Sequence, residues 1–306
     1  MVRTSILLWL LAVPFAADAI NDNAGTTGYN FLKVGVGARA AALGGAYVGV
    51  AGQVEAVAWN PAGLLGIEER TAAASFSRYL IDTQSGFLSV GFPGERRAWA
   101  MSINYFNYGD MRRTDEDGED QGSFGASDMA AYLTVAQKVL SNRITLGANL
   151  KAVYSSIDNF SSDAYMVDIG VLAPGPLKGM QLGASLSNLG GVRSGYTDNF
   201  TDSLPVIFRV GLAHQPAHTP LPMIIVADLN APNDGDPYMA FGIEVSVAKG
   251  LYVRPGFSTQ PTGQNEDPLG LTAGAGVEME KYHIDYAFTS YPDLDDVHRI
   301  SVNGNF

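Results

Sequence analysis

From Arg143 to Tyr154, apolar Ile144, Leu146, Ala148, Leu150, Ala152 and Tyr154 alternate with Thr145, Gly147, Asn149, Lys151 and Val153. A two-residue period predicts a β-strand with one apolar and one wet face. Met180, Leu182, Ala184 and Leu186 alternate in the same way with Gln181, Gly183, Ser185 and Ser187, and Tyr282, Ile284, Tyr286 and Phe288 with His283, Asp285, Ala287 and Thr289. Runs of this kind, bounded by Gly, Pro, Asn and Asp, fall near 70 to 79, 83 to 92, 97 to 107, 127 to 139, 143 to 154, 163 to 172, 179 to 188, 205 to 215, 222 to 230, 237 to 247, 250 to 259, 270 to 280, 281 to 289 and 297 to 306. Most have the length of a tilted strand crossing a hydrocarbon layer, and their number is even, as in single-chain bacterial barrels.

The links between runs alternate in length. Tight ones fall at 93 to 96, 140 to 142, 173 to 178, 216 to 221, 248 to 249 and 280 to 281; longer ones at 108 to 126, 155 to 162, 189 to 204, 231 to 236, 260 to 269 and 290 to 296. Outer-membrane barrels use short periplasmic turns and longer outer loops. The expected fold is therefore an all-β, 14-stranded antiparallel transmembrane barrel over residues 67 to 306. An inside start puts both termini in the periplasm and the acidic loops outside.

Residues 1 to 19 read as a cleaved signal peptide, with Arg3, an apolar run from Ile6 to Val13, and small residues at Ala17 and Ala19. Residues 20 to 66 lack the strand pattern. They are rich in Ala and Gly, including Gly44 and Gly45, and end in a turn at Asn60, Pro61, Ala62 and Gly63. Small residues allow close backbone packing, so this segment is expected to plug the barrel, with Gly44, Gly45, Asn60, Pro61 and Gly63 carrying its geometry.

Composition narrows the function. The chain has 306 residues, no cysteine, 16% charged residues and a net charge of -12. Charge this sparse is unusual for a soluble domain, and the acidic balance leaves no basic stripe for nucleic acid. Without cysteine there is no disulfide, thiolate metal site or thiol nucleophile. The four histidines, His214, His218, His283 and His298, have no metal-ligand or triad spacing. The expectation is a non-enzymatic protein with no cofactor and no bound metal. The acidic run Asp115, Glu116, Asp117, Glu119 and Asp120 resembles a calcium loop only loosely, because Arg113 stands where the first ligand belongs. It reads as an extracellular acidic loop. The wet strand faces place Lys151, Asp168, Arg209, Asp228, Glu244, Arg254, Glu278, Asp285 and Arg299 in the lumen, where charges of both signs form a network with the plug.

Three blocks carry a family resemblance: Phe31 to Arg39 (FLKVGVGAR), Leu43 to Val48 (LGGAYV) and Trp59 to Leu64 (WNPAGL). Together they resemble the opening of the PorV/PorQ family, within the wider group of FadL-like barrels. Tyr108-Gly109-Asp110, the stretch from Asp115 to Phe124, Leu146 to Lys151 and Asp168-Ile169-Gly170 are closer to the PorQ branch. The closing strand ends on Phe306, which resembles the signal read by the barrel-insertion machinery. The resemblance implies an outer-membrane scaffold of the type IX secretion surface complex, with PorZ-like partners. The alternative is a FadL-like transporter of hydrophobic small molecules. Such a transporter needs an interruption in a strand, and the third strand, 97 to 107, contains no Gly or Pro.

Overall fold

A computed structural model describes residues 23, 25 to 80, 83 to 140, 143 to 197, 201 to 260, 270 to 291 and 295 to 306. The alternating runs become fourteen antiparallel strands. They are β1 (Thr71–Arg78), β2 (Gln84–Phe92), β3 (Arg97–Thr114), β4 (Asp120–Val139), β5 (Ile144–Ile157), β6 (Phe160–Pro174), β7 (Met180–Ser194), β8 (Ile207–His214), β9 (Met223–Pro232), β10 (Tyr238–Ala248), β11 (Leu251–Ser258), β12 (Gly270–Met279), β13 (Tyr282–Tyr291) and β14 (Asp295–Asn305). Each pairs with its sequence neighbour, and β1 pairs with β14 from Thr71 opposite Asn305 to Arg78 opposite His298, closing the barrel. Closure removes sheet edges, which is what allows β-structure to cross lipid.

Large apolar side chains face outward all round the ring: Phe76, Leu88, Met101, Leu133, Leu150, Ile169, Phe208, Leu271 and Ile300 are exposed. An apolar belt this continuous is a lipid-contacting surface. The inward face carries Ser, Asn, Gly, Ala and charged residues. The reversal of the usual inside-apolar rule explains the low charge content: neither face is bathed freely in water.

The wall is uneven. β3 to β7 rise well beyond the other strands, so 108 to 114, 120 to 126 and 189 to 194 are strand and not open loop. Between β5 and β6 only Asp158 and Asn159 remain as a turn, Asp158 with φ of 52°. Above the lipid both faces meet water, so the two-residue apolar signal disappears although the ladder continues.

Residues 27 to 67 fill the barrel from one end to the other. Thr27 bridges Ser203 and hydrogen-bonds Asp234 at the long-loop end. The chain then forms a 3-10 segment at Asn30–Lys33, α1 (Ala38–Ala42), its alanines buried against β11 to β14, and two further 3-10 segments, Val54–Ala58 and Pro61–Gly66, before entering β1 at the short-turn end. The described amino-terminal residues and Phe306 therefore lie at opposite ends of the barrel. The ends of the described chain thus do not share one end of the barrel as a strand count implies, because a lumen crossing that is not a strand intervenes; the amino terminus itself falls outside the described residues. The signal-peptide expectation falls outside the described residues.

Candidate functional site

Glycines on the inner wall let the plug backbone sit directly on the strands. At Gly183 of β7, a Cβ would stand 2.7 Å from the carbonyl carbon of Val48 and 3.1 Å from Gly49 Cα. Gly147, Gly170, Gly242 and Gly256 meet the plug equally closely from β5, β6, β10 and β11. On the plug side, Gly44 has φ of 70°, and a Cβ there would fall 2.9 Å from the Phe241 carbonyl oxygen. Both the left-handed backbone and the lack of space require glycine. Gly45 is also left-handed, at φ of 83°.

Asn60 ties the turn together. Its Oδ1 accepts from the Ala62 amide at 3.1 Å, while Nδ2 donates to the carbonyls of Val48 at 2.8 Å and Val171 at 3.0 Å. Pro61 occupies the first position of the following 3-10 segment, where its missing N–H leaves nothing unpaired. Gly63 is needed for space and not for positive φ: a Cβ there would stand 2.7 Å from the Val50 carbonyl oxygen.

The lumen charges fall into separate groups. Glu244 accepts from Arg39 at 2.6 and 2.7 Å and from Arg254 at 2.6 Å, and Arg254 also reaches Asp285 at 2.7 Å, beside His283 at 2.9 Å. Arg39 belongs to α1, so this group pins the plug to β10, β11 and β13. Asp228 accepts from the backbone amides of Tyr47 and Val48 at 2.6 and 2.9 Å. Lys151 binds Asp168 at 2.7 Å and the Asn188 side-chain oxygen at 2.6 Å. Glu278, exposed at the turn end, accepts from the Tyr252 hydroxyl.

Arg209 and Arg299 differ from these. Both are at least nine-tenths buried, yet no described carboxylate lies within ion-pair distance of either. Arg209 donates to Ser187 at 3.2 Å and sits over the Trp59 ring, 5.8 Å from its centre, while its Nε has no partner. Both line a cavity of about 420 Å³ above the plug at the loop end. Its walls carry Phe31, Trp59, Tyr79, Phe106, Tyr238 and Tyr291. Lys33 also borders it, but is paired with Asp234 at 2.6 Å. A second cavity of about 740 Å³ opens at the turn end, with Arg39, Glu244 and His283 at its inner limit.

The strand pairing of the wall is interrupted in β7, not β3. Between the pairs Val167–Leu189 and Ile169–Leu186, Ser187 and Asn188 oppose Asp168 alone, a bulge with Asn188 at φ of 66°. The Asn188 amide donates to Asp168 at 2.7 Å. β8 pairs with β7 only as far as Ser187, so Asn188 to Ser194 have no β8 ladder. The segment 204 to 206 stands there instead, held by the Asn188 side chain to the Pro205 carbonyl at 2.8 Å. From Trp99 to Asn107 the third strand is continuously paired on both sides. The sequence reading missed Asn188; its one signal was an Asn ahead of two glycines, Gly190 and Gly191, inside an otherwise regular strand.

The acidic run forms the tip of the β3–β4 hairpin. The Asp115 carboxylate accepts from the Glu119 amide at 2.8 Å, the Asp117 amide at 3.1 Å and the Gln121 side chain at 2.8 Å, which hold it below the usual carboxylate range. Asp120 pairs with Arg112 at 3.2 Å, and Glu116 is exposed with Asp117 and Glu119. The tip organises itself. Of the histidines, His298 meets the Tyr286 hydroxyl at 2.7 Å, on the outer face.

No protein-family model matches the chain. No curated protein sequence matches it either. Its fold is similar to the crystal structure of the Pseudomonas putida toluene transporter TodX, with a TM-score of 0.68 and 14% identity over 89% of this chain and 98% of that one. The CymD monoaromatic hydrocarbon channel is similar at a TM-score of 0.62 and 13% identity, over 89% and 98% of the two chains. Closed ring, apolar belt and these similarities make the protein an outer-membrane β-barrel with the architecture of the hydrocarbon-channel barrels.

Proposed function

We propose that the protein is a transporter of hydrophobic small molecules across the outer membrane, with its long-loop end outward. The observation that carries this reading is the ring-walled cavity of about 420 Å³ at the loop end, directly above the plug. Concave sites lined by aromatic rings with a few polar groups are where small apolar ligands bind. The β7 bulge and the end of the β7–β8 ladder at Ser187, which accepts from Arg209 of the cavity lining, interrupt the regular strand pairing, a feature a scaffold would not need. The fold similarity to hydrocarbon channels agrees with it.

The secretion-scaffold reading rests on the PorV/PorQ resemblance. The opening blocks of that resemblance, 31 to 39, 43 to 48 and 59 to 64, are mostly buried against the inner wall, while its PorQ-like stretch from Asp115 to Phe124 lies at the exposed hairpin tip. The opening blocks are spent on holding the plug, so they speak for the fold more than for a surface partner.

The test uses Trp59 as reporter. The chain has three tryptophans, and Trp9 lies in the first 19 residues. Replacing the lipid-facing Trp99 by Phe isolates the cavity signal. Toluene added to the purified barrel is expected to change Trp59 emission saturably. No saturable change with any neutral aromatic, together with stoichiometric recovery of an outer-membrane partner by pull-down, would favour the scaffold instead.

A further inference from the structure

The charge around the loop-end cavity runs against the chain as a whole. The protein carries a net charge of -12, yet among the described residues the cavity is bordered by Lys33, Arg209 and Arg299 and by no carboxylate. Lys33 is neutralised by Asp234. Arg209 and Arg299 are not neutralised at close range, although elsewhere in the same lumen Arg39, Lys151 and Arg254 are all paired.

A guanidinium stays protonated at any physiological pH, and burying it without a counter-charge is costly. The ring of Trp59 under Arg209 relieves part of that cost. It leaves the Nε of Arg209 without an acceptor. The carboxylates that face these arginines at longer range do not come within hydrogen-bond distance of them: Asp228 is anchored through one oxygen by the plug amides of Tyr47 and Val48, and Glu55 through one oxygen by Asn303. Arg299 approaches the same floor from the other side of the barrel, its Nη1 4.0 Å from where a Cβ of Gly35 would stand, and Gly35 packs on the Trp59 ring. Two buried cations thus flank one aromatic floor. That arrangement fits a planar ligand with an anionic end, since a carboxylate accepts two parallel N–H bonds from one guanidinium. A dry cavity of about 150 Å³ is enough for benzene, so this one holds a substituted ring with its water.

Resting on the transporter reading, we propose that the loop-end cavity takes small aromatic carboxylates of the benzoate class, with Arg209 and Arg299 as the counter-charge and the ring walls as the hydrophobic contact.

The test compares benzoate, its neutral isostere benzamide, toluene and acetate on the full chain in detergent, by equilibrium dialysis and by Trp59 emission in the W99F background. Benzoate is expected to bind about tenfold or more tighter than benzamide, the factor that one well-placed charge-assisted contact gives. Acetate at the same concentration should not displace it. The R209Q/R299Q variant should bring the benzoate-to-benzamide ratio close to one. Should that variant fail to give the folded, heat-modifiable band on a gel, the ratio in the unaltered protein decides. Benzoate binding no tighter than benzamide overturns the inference and leaves the transporter reading standing. Displacement by acetate as strong as by benzoate overturns the aromatic assignment, and a preference that survives in the double variant overturns the role of the arginines. Failure of toluene, benzamide and benzoate alike removes the transporter reading itself.

Discussion

Replacing Gly183 by valine places a branched side chain where β7 touches the plug backbone. In an open strand this exchange helps, by up to about 1 kcal/mol, because valine suits the pleat better than glycine. Here the new Cβ would stand 2.7 Å from the Val48 carbonyl carbon, 0.7 Å inside the 3.4 Å at which ordinary contact begins, and the obstacle is backbone that cannot rotate away. The plug must shift as a unit. That shift strains the 2.6 and 2.9 Å bonds from the Tyr47 and Val48 amides to Asp228 and the 2.8 Å bond from Asn60 to the Val48 carbonyl. Overpacking costs about 1–3 kcal/mol and a hydrogen bond to a charged group about 1.5–3 kcal/mol. After the strand preference is deducted, a loss of roughly 3 kcal/mol is expected. Gly191→Val, on the same strand with nothing within 4 Å of its Cβ position, is the control and should be neutral. The assay is heat-modifiable gel mobility across a denaturant series. Equal midpoints for the two variants would refute the idea that the plug backbone rests on the wall at Gly183.

Leu150→Arg puts a charge on the lipid face and should hinder insertion by about 2–4 kcal/mol if the site is near mid-membrane, read as loss of folded protein in membranes. Cysteine labelling, in a protein with no thiol of its own, should find position 150 shielded from aqueous reagents until lipid is removed. Burial alone would raise the Asp234 carboxyl, but its bonds to Lys33 and Thr27 outweigh that and hold it below the usual range. Its contribution is then fully present above about pH 4, the ordinary Asp value, and is lost as pH falls through the lower folded value. Protease sensitivity near residue 26 should therefore rise on acidification, and Asp234→Asn should show the raised sensitivity already at pH 7. The pair Pro61→Ala and Gly63→Val should lower barrel stability through the contact with the Val50 carbonyl, with toluene binding per folded molecule unchanged; normal folding with lost binding would make the turn part of the ligand site.

The strands were legible because the barrel exposes its two faces to different media. Leu146 and Leu150 meet lipid while Asn149 and Lys151 meet polar partners, so each residue type reports its side directly. Above the lipid that contrast ends, which is why 108 to 126 reads as loop although most of it is ladder. The wet face also revealed which charges enter the lumen, since that needs only parity. Which of them are paired depends on strands far apart in sequence: Arg39 finds Glu244 and Arg254 finds Asp285. Nothing local distinguishes Arg254, fully satisfied, from Arg299, which is not. Asn188 was hidden for a related reason: a bulge in β7 is defined by its register with β6, and register is not written in either strand alone.

The passage of residues 27 to 67 through the lumen bears on the order in which the molecule can be made. The seat of Gly44 is built by Phe241 and Phe257, about 200 residues later in the chain, and the seam joins Thr71 to Asn305. Contacts so distant in sequence form slowly. The segment synthesised early is thus among the last to find its place, and once the seam zips shut around it the chain is threaded, like a cord through a bead. A bulky, folded tag fused ahead of residue 23 would have to end on the loop side of that bead, so it should obstruct assembly.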